Sequence, residues 1–369
     1  MQIRRVKFKD IEQVPHIQVQ QEFKKDFQGS SPAPFIGRFG YPKVNIGLLS
    51  PQISGDTSHY DAPKLWSQQN LPIVNIASLR YGLVNSRTPW NVKDSFKPSR
   101  FLDICQEVGM ASKPVELEVN LKERPQLQYK PEKEIMPFGP QAQMHKAQIT
   151  ANVKVDSHVE KAVRDIDLKA ADAMLSLYKK GFEENVLTKL ISVGNLGLAK
   201  NRKLVPTRWS ITAVDDTVGK KLIAEVKDFS LGEYQAYFGG GWGNYYLLLF
   251  FPEVWSYELF ESYLEYKINP WSKEGNFYST DYEGYEGRKE YAQETAGAYY
   301  STRLTTLETM KLNKKQYSVL VLRFITSEYQ IPLGVWVTRE ASRKALQNKP
   351  IEFSSQELML DYAKSIIKS

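Results

Sequence analysis

The sequence contains two adjacent carboxylates, Asp215 and Asp216, at a position suited to metal binding or to acid–base catalysis. They follow residues 204–214, whose apolar side chains alternate as in a strand, and precede residues 217–227, whose apolar side chains recur at helical spacing. This arrangement predicts an acidic turn at the rim of a sheet, where ligands of open α/β sheets bind. Such a carboxylate can hold a metal ion or act as a general base. It can equally cap the helix by accepting its free N–H groups, so both roles stay open.

Two further carboxylates, Glu283 and Glu286, lie in residues 269–288, a polar and aromatic stretch predicted to form a loop. A metal-dependent nuclease would use them with Asp215 and Asp216 to hold divalent ions that polarise a phosphate and activate water. A transferase that uses NAD, like the ADP-ribosyltransferases, would instead need Glu283 or Glu286 to stabilise an oxocarbenium-like centre. The residues allow either NAD or a divalent metal, and they do not fix the cofactor.

Two stretches in the first half carry donors suited to phosphate oxygens. Residues 31–50 combine glycines, which allow close approach to the backbone, with basic and amide side chains. Residues 71–91 place arginines around a glycine-containing turn, an arrangement suited to clamping an anion. Neither stretch matches a Walker loop or GxGxxG, and a plain hairpin would give the same glycines. The candidate phosphate- or nucleotide-binding residues are Arg38, Lys43, Asn45, Arg80, Asn85, Arg87 and Arg208.

Length and composition bound the class of protein. The chain has 369 residues, of which 42% are hydrophobic and 12% aromatic, so it can bury a core and has room for about two domains. Its net charge of +7 suits a nucleic-acid or phosphate-rich ligand, although many cytoplasmic proteins carry a similar balance.

The sequence predicts a cytoplasmic location. No apolar run approaches the roughly 18 residues that a membrane span needs, and the N-terminus shows no apolar signal region. Cys105 is the single cysteine, which excludes an intramolecular disulfide and a cysteine-based zinc site. We therefore expect a cytoplasmic protein with no membrane partner.

The predicted fold is of the mixed α/β (α+β) class, with a central mixed sheet, flanking helices and two closely packed regions. The regions are expected at residues 1–156 and 157–349, followed by a tail at residues 350–369. The strands predicted for the sheet are 73–77, 115–121, 149–155, 204–214, 245–251, 317–326 and 333–337. The helices are predicted over residues 167–194, 217–227, 256–268, 289–310, 339–346 and 354–367.

Several unusual stretches are spread over most of the chain: PFIGRFGYPKVNIG, SLRYGLVNSR, RKLVPTRWSITAVDD, GWGNYYLLLFFPEVWSYELFE and DYEGYEGRKEYAQETAGAYYSTR. Together they resemble the archaeal Nre family of DNA-repair-associated proteins. The resemblance implies two adjoining regions, a role in the DNA-damage response and a sliding clamp bound through a short C-terminal motif. Some members also carry an N-terminal cysteine cluster, which this chain lacks.

The clamp-binding pattern is a Gln, an aliphatic residue three positions on, and then two aromatics. The tail provides Gln356, Met359 and Tyr362, with Ala363 in place of the second aromatic. In such a motif a short helical turn fills an apolar pocket while the Gln hydrogen-bonds beside it. A terminal amphipathic helix docked on its own body would give the same pattern.

Two classes of function follow. The first is a DNA-repair-associated protein that binds DNA and the sliding clamp. The alternative is an enzyme directed at nucleic acid or a nucleotide, either the transferase or the nuclease described above. Any catalytic site is expected where the arginine and glycine loops of the first half meet the acidic and aromatic loops of the second.

Overall fold

The computed structural model of the chain describes residues 22–94, 97–127, 135–264 and 277–368. These residues divide into two compact units, the first within His16–Thr217 and the second within Val218–Ser369. Each unit contains a six-stranded mixed sheet. The mixed α/β class is therefore confirmed, with the strands divided between two sheets where one central sheet was expected. The expected region boundary after residue 156 stays a prediction.

The sheet of the first unit has the strand order β1-β5-β6-β4-β3-β2. Its strands are β1 (Asp26–Ser31), β2 (Ala33–Ile36), β3 (Lys43–Ser50), β4 (Val84–Asn91), β5 (Val115–Leu121) and β6 (Gln141–Ile149). The pair β4–β6 is parallel, and the other pairs are antiparallel.

Strand β5 confirms the prediction for residues 115–121. Its sequence VELEVNL alternates, and Val115, Leu117, Val119 and Leu121 are buried in the core of the unit. The strand predicted over residues 149–155 is wrong, because β6 ends at Ile149. A shift in register between β5 and β6 interrupts the alternation of β6 and hides this strand from a search for regular patterns.

In the described ranges, three helices lie between these strands and four follow them. They are α1 (Pro63–Gln68), α2 (Ile73–Tyr81), α3 (Arg100–Met110), α4 (Ser157–Arg164), α5 (Ala170–Lys179), α6 (Glu184–Ser192) and α7 (Thr207–Val226). Helices α5 and α6 confirm the helical prediction for residues 167–194. The strand predicted over residues 73–77 is wrong, because these residues form the first half of α2. A short apolar run does not distinguish a strand from a buried helix segment.

Helix α7 overturns the strand predicted over residues 204–214 and the acidic turn after it. Val214, Val218, Leu222 and Val226 are all buried and lie four residues apart, as expected for one face of a single helix. Asp215 and Asp216 therefore lie inside a helix and cap neither end. The local alternation in residues 204–214 was outweighed by this longer helical period.

The sheet of the second unit has the order β10-β9-β11-β8-β7-β12. Its strands are β7 (Tyr234–Gly241), β8 (Asn244–Phe251), β9 (Ser256–Tyr263), β10 (Phe277–Glu283), β11 (Ser318–Ile325) and β12 (Ile351–Phe353). The unit also contains α8 (Gly297–Asn313), α9 (Val335–Gln347) and α10 (Gln356–Lys368). Strands β8 and β11 and helix α10 confirm their predictions, and α8 and α9 confirm parts of theirs.

Three predictions in this unit are wrong. The helix predicted over residues 256–268 is strand β9 up to Tyr263, and its last residues, 265–268, lie outside the described part of the chain. The strand predicted over residues 333–337 is the start of α9. The loop predicted over residues 269–288 contains β10, while residues 269–276 are also outside the described part. Alternate residues of β9 are buried, so its period of two was present in the sequence.

Candidate functional site

The first sheet brings several candidate phosphate-binding residues onto one face. Val44, Ile46 and Leu48 of β3 point into the core, so Lys43, Asn45 and Gly47 lie on the opposite face. Strand β4 pairs with β3 so that Arg87 lies opposite Gly47 and Asn85 opposite Leu49. We call this set the outer face: Lys43, Asn45, Gly47, Asn85, Arg87 and Gln141.

The missing side chain of Gly47 leaves room for the side-chain amide of Asn85 on the outer face. A Cβ atom at Gly47 would lie 2.2 Å from Oδ1 of Asn85, so the amide occupies the space of the missing side chain. Asn85 is 2% exposed, and its Oδ1 has no hydrogen-bond partner among the described residues. A buried acceptor without a donor is costly, and such atoms mark places where a ligand or a water binds.

Arg87 is the cation at the centre of the outer face. Its Nη1 donates a hydrogen bond to Oε1 of Gln141 at 2.5 Å, and it forms no ion pair with a carboxylate in the described part of the chain. Burial lowers the pKa of this guanidinium, and the charge of Glu123 partly opposes that effect. Arginine stays protonated at neutral pH under such a change, so Arg87 presents a charge that its neighbours do not neutralise by direct pairing.

Two other predicted arginines lie near the start of α7. The backbone N–H of Ile36 donates to Oγ1 of Thr207 at 3.0 Å, and the rings of Tyr41 and Trp209 pack with centroids 5.0 Å apart. These contacts hold the turn that carries Arg38 against the first helical turn, which carries Arg208. The start of a helix presents unpaired N–H groups and a partial positive charge, both of which favour an anion.

Arg80 lies away from the outer face in a buried ion network. Its Nη1 is 2.7 Å from Oδ1 of Asp61 and also donates to the carbonyl of Tyr60, while its Nε donates to the carbonyl of Pro137. Lys189 Nζ lies 2.9 Å from the second oxygen of Asp61. In this conformation Arg80 has its donors directed at protein acceptors, and its side chain is almost fully buried.

Sequence reasoning missed Asp61 as the partner of Arg80, and Lys189 as the second cation that Asp61 binds. Neither residue belongs to a local motif, and Asp61 and Lys189 are 128 positions apart in the sequence. A buried Arg in a helix is a general signal that a carboxylate lies nearby, but it does not say which one.

The candidate catalytic carboxylates have different surroundings. Asp215 is fully buried in α7, and Asp216 follows it on the same helix. Glu283 ends β10, is buried, and places Oε2 2.8 Å from Nη1 of Arg303. Glu286 is exposed in the turn after β10. Over the described ranges, no group of three or more His, Cys, Asp or Glu side chains could hold a metal ion.

The tail motif lies on α10, which packs on the second sheet. Met359 is completely buried and Ala363 nearly so, in a tail cluster that also contains Ala236, Leu247 and Leu249. The ring of Tyr362 packs against Phe353 with centroids 5.5 Å apart, while Gln356 is exposed. In this conformation two of the three motif side chains contact the protein's own body.

Comparisons with known proteins agree over most of the chain. The family model described as "Archaeal Nre, N-terminal" matches residues 7–271, and "Archaeal Nre, C-terminal" matches residues 283–369. The DNA repair protein NreB of Archaeoglobus fulgidus is 35% identical over 93% of this chain and 86% of its own length. The DNA repair protein NreA of Haloferax volcanii is 36% identical over 88% of this chain and 78% of its own length.

No solved structure gives a significant match to the chain. In the described part of the structure, none of the helices is both long enough and apolar enough to cross a membrane. The two family models leave only short stretches unmatched, and the motifs noted in the sequence lie inside them except for Asp281 and Tyr282 at the start of the last motif. The chain therefore belongs to the archaeal Nre family.

Proposed function

We propose that this protein is a DNA-repair-associated protein that binds the phosphate backbone of DNA through the outer face. Its relatives from Archaeoglobus fulgidus and Haloferax volcanii carry the name DNA repair protein. The observation that carries the proposal is a pair of cations, Lys43 and Arg87, on one face of β3 and β4, neither of which forms an ion pair in the described part of the chain.

The two cations are spaced for contacts with separate phosphates. Lys43 is exposed at the start of β3 and, like Arg87, has no carboxylate partner within the described ranges. Arg87 pairs with Gly47 in the register, so four residues of β3 separate it from Lys43, or about 13 Å along the strand. Asn45 lies between them and can donate to phosphate or sugar oxygens.

The net charge of +7 supports the same proposal at longer range. A positive protein attracts DNA from a distance and then gains affinity by releasing counterions from the phosphates it contacts. This mode of binding is independent of sequence and suits a protein that must act at damage anywhere in a genome.

Salt-dependent DNA binding tests the proposal. We expect Lys43→Ala and Arg87→Gln each to reduce the slope of log K against log salt by about 1, because each removes one phosphate contact. Fluorescence anisotropy with a short labelled duplex measures the slope, and thermal melting confirms that both variants fold. The matched control is Lys161→Ala on an exposed position of α4, which removes a charge outside the outer face.

The control variant also shows which results would contradict the proposal that the outer face binds DNA. If Lys161→Ala lowers the slope as much as the two outer-face variants, then DNA senses only the total charge of the protein. If neither outer-face variant changes the slope, the outer face does not contact phosphates.

We further propose that α10 binds a sliding clamp through Gln356, Met359 and Tyr362. Support comes from the order of these side chains along one helix, and from the exposure of Gln356. Met359 would have to leave the tail cluster to enter an apolar pocket of the clamp, so the proposal requires α10 to detach and dock again.

Binding of the full-length chain to a purified archaeal sliding clamp, measured by surface plasmon resonance, tests the role of α10. We expect Gln356→Ala to weaken binding without changing thermal stability, because this side chain is exposed. Gln68→Ala, at the exposed end of α1, is the control and should bind like the parent chain. Equal binding by both variants would exclude this motif.

A further inference from the structure

A cleft in the second unit lies apart from every residue considered so far as a site. It has a volume of about 660 Å³ and lies between the last turns of α8 and α9, strand β7 and the start of β11. Cavities of about 300–1,000 Å³ are typical of small-molecule sites. Its chemistry is set by Glu233, Tyr237, Glu308, Lys315, Tyr317 and Arg343.

Two buried tyrosines form the floor of the cleft. Tyr237 and Tyr317 both pack against Phe250, with ring centroids 5.2 and 5.1 Å away, and both hydroxyls donate long hydrogen bonds to Oε1 of Gln235. Leu312 stands at the rim and is 83% exposed. The two rings are only 3% and 2% exposed, so the apolar surface that the cleft offers to an alkyl chain is that of Leu312 and Leu346.

The cations that line the cleft are already held by protein groups. Arg343 lies between two carboxylates, with Nη2 2.8 Å from Glu308 and Nη1 2.7 Å from Glu340. Lys315 directs Nζ to Oγ of Ser230 and to the carbonyl of Leu231. The charge of Arg343 is therefore paired with carboxylates, whereas Lys315 is held by neutral groups and keeps its charge.

Four carboxylates in and beside the cleft, Glu233, Glu308, Glu340 and Glu352, outnumber its two lining cations, Arg343 and Lys315. Burial raises the pKa of Tyr317, a backbone hydrogen bond with Glu233 lowers it, and the charges of Glu233 and Glu352 are smaller effects that raise it. Glu352 lies beside the cleft and accepts a hydrogen bond from Gln235.

The helices add to this excess of negative charge. Helices α8 and α9 both end at the cleft, and the C-terminus of a helix carries a partial negative charge. The basic side chains of their last turns are directed elsewhere, since Lys311 pairs with Glu225 at 2.8 Å and Lys344 lies over the ring of Trp242. Lys314 and Lys349 follow these helices, and they are not among the lining residues.

We propose that this cleft binds an organic cation, an alkyl ammonium or alkyl guanidinium whose apolar stem packs on Leu312 and Leu346. The charged end would lie near Glu233 and Glu352, and the stem would extend over the tyrosine floor towards the two leucines. This inference concerns a second site and does not rest on DNA or clamp binding.

Isothermal titration of the nucleic-acid-free full-length protein with spermidine tests the proposal. Spermidine carries ammonium groups on alkyl stems, and 1,8-octanediol is the neutral probe of similar length. We expect one saturable spermidine site and no heat from the diol. Removal of nucleic acid is necessary because spermidine would also bind copurified DNA.

A paired set of variants locates the site. The double variant Glu233→Gln and Glu352→Gln should weaken spermidine binding about ten-fold, because it removes two nearby charges that attract the cation. The control double variant, Glu253→Gln and Glu357→Gln, changes the total charge equally at exposed positions away from the cleft.

Three outcomes would overturn the proposal: no spermidine binding at millimolar concentration, equal weakening by both double variants, or equal binding of the neutral diol. Thermal melting of each variant confirms folding, and all four carboxylates are exposed, so we expect little change in stability.

Discussion

Asp61 is the residue on which the ion network of the first unit depends. Its two oxygens contact Arg80 at 2.7 Å and Lys189 at 2.9 Å, and Asn185 donates to it as well. Removing the charge of such a residue leaves the partner cations buried without compensation, which costs far more than losing a surface pair. The network explains why Arg80 is directed inward, although its position beside a glycine suggested an anion clamp.

We predict that Asp61→Asn lowers the free energy of unfolding by about 3–5 kcal/mol at pH 7. Asparagine keeps the shape, but it loses the charge that Arg80 and Lys189 require and replaces one of the two acceptor oxygens with a donor. Urea unfolding followed by circular dichroism measures the change. Asp172→Asn, at an exposed position of α5, is the control and should cost less than about 1 kcal/mol.

The same residue gives a pH dependence with a definite sign. Burial opposes ionisation of Asp61, but Lys189 and Arg80 outweigh it and hold its pKa below the ordinary value. The unfolded chain has an Asp pKa of about 3.9, so the stabilisation is complete above that pH and is lost as pH falls through the lower folded pKa. We expect the difference in stability between the parent chain and Asp61→Asn to shrink below about pH 4. A difference that stays constant with pH would contradict this account.

At the scale of elements, α10 shows how a terminal helix is fixed. Its sequence repeats apolar residues at helical spacing, and the face that carries Met359 and Ala363 is buried in the tail cluster. The neighbouring Leu358 is 54% exposed, so the two adjacent side chains have opposite environments.

We predict that Met359→Ala destabilises the second unit by about 2–5 kcal/mol, since it removes a fully buried side chain and leaves a cavity. Leu358→Ala should change stability by no more than about 0.5 kcal/mol, because its side chain is largely in water. Thermal or urea unfolding compares the two. Similar losses in both variants would mean that α10 is not docked as described.

Helix α7 shows at the same scale how an element can be missed. A six-residue alternation favoured a strand, whereas the buried stripe from Val214 to Val226 extends over more than three helical turns. The longer period decides because each turn of the helix places another apolar side chain in a core. Asp215 therefore lies at a buried position within a helix, where the sequence predicted the rim of a sheet.

At the scale of the whole molecule, the described chain forms two units, each with a sheet in which one parallel pair interrupts an antiparallel arrangement. The outer face belongs to the first unit, and the organic-cation cleft and α10 belong to the second. The three proposals therefore depend on separate parts of the chain, and an experiment on one does not decide the others.

The sequence by itself determined the family, the mixed α/β class and the elements with a strong local pattern. Strands β5, β8 and β11 and helices α5, α6 and α10 have a period or an apolar run that neighbouring residues alone can produce. It also brought Lys43, Asn45, Asn85 and Arg87 into consideration, and their shared face follows from the pairing of β3 with β4.

Only the tertiary structure decided which partners the charged side chains have. Asp61 meets both Arg80 and Lys189, and Glu283 meets Arg303, because packing brings separate segments together. The starts of α2 and α9 are apolar runs too short to have a period of their own, so the surrounding packing decides between helix and strand. The physical reason is the same in both cases: local sequence sets the pattern of a segment, whereas burial and charge pairing depend on residues far away along the chain.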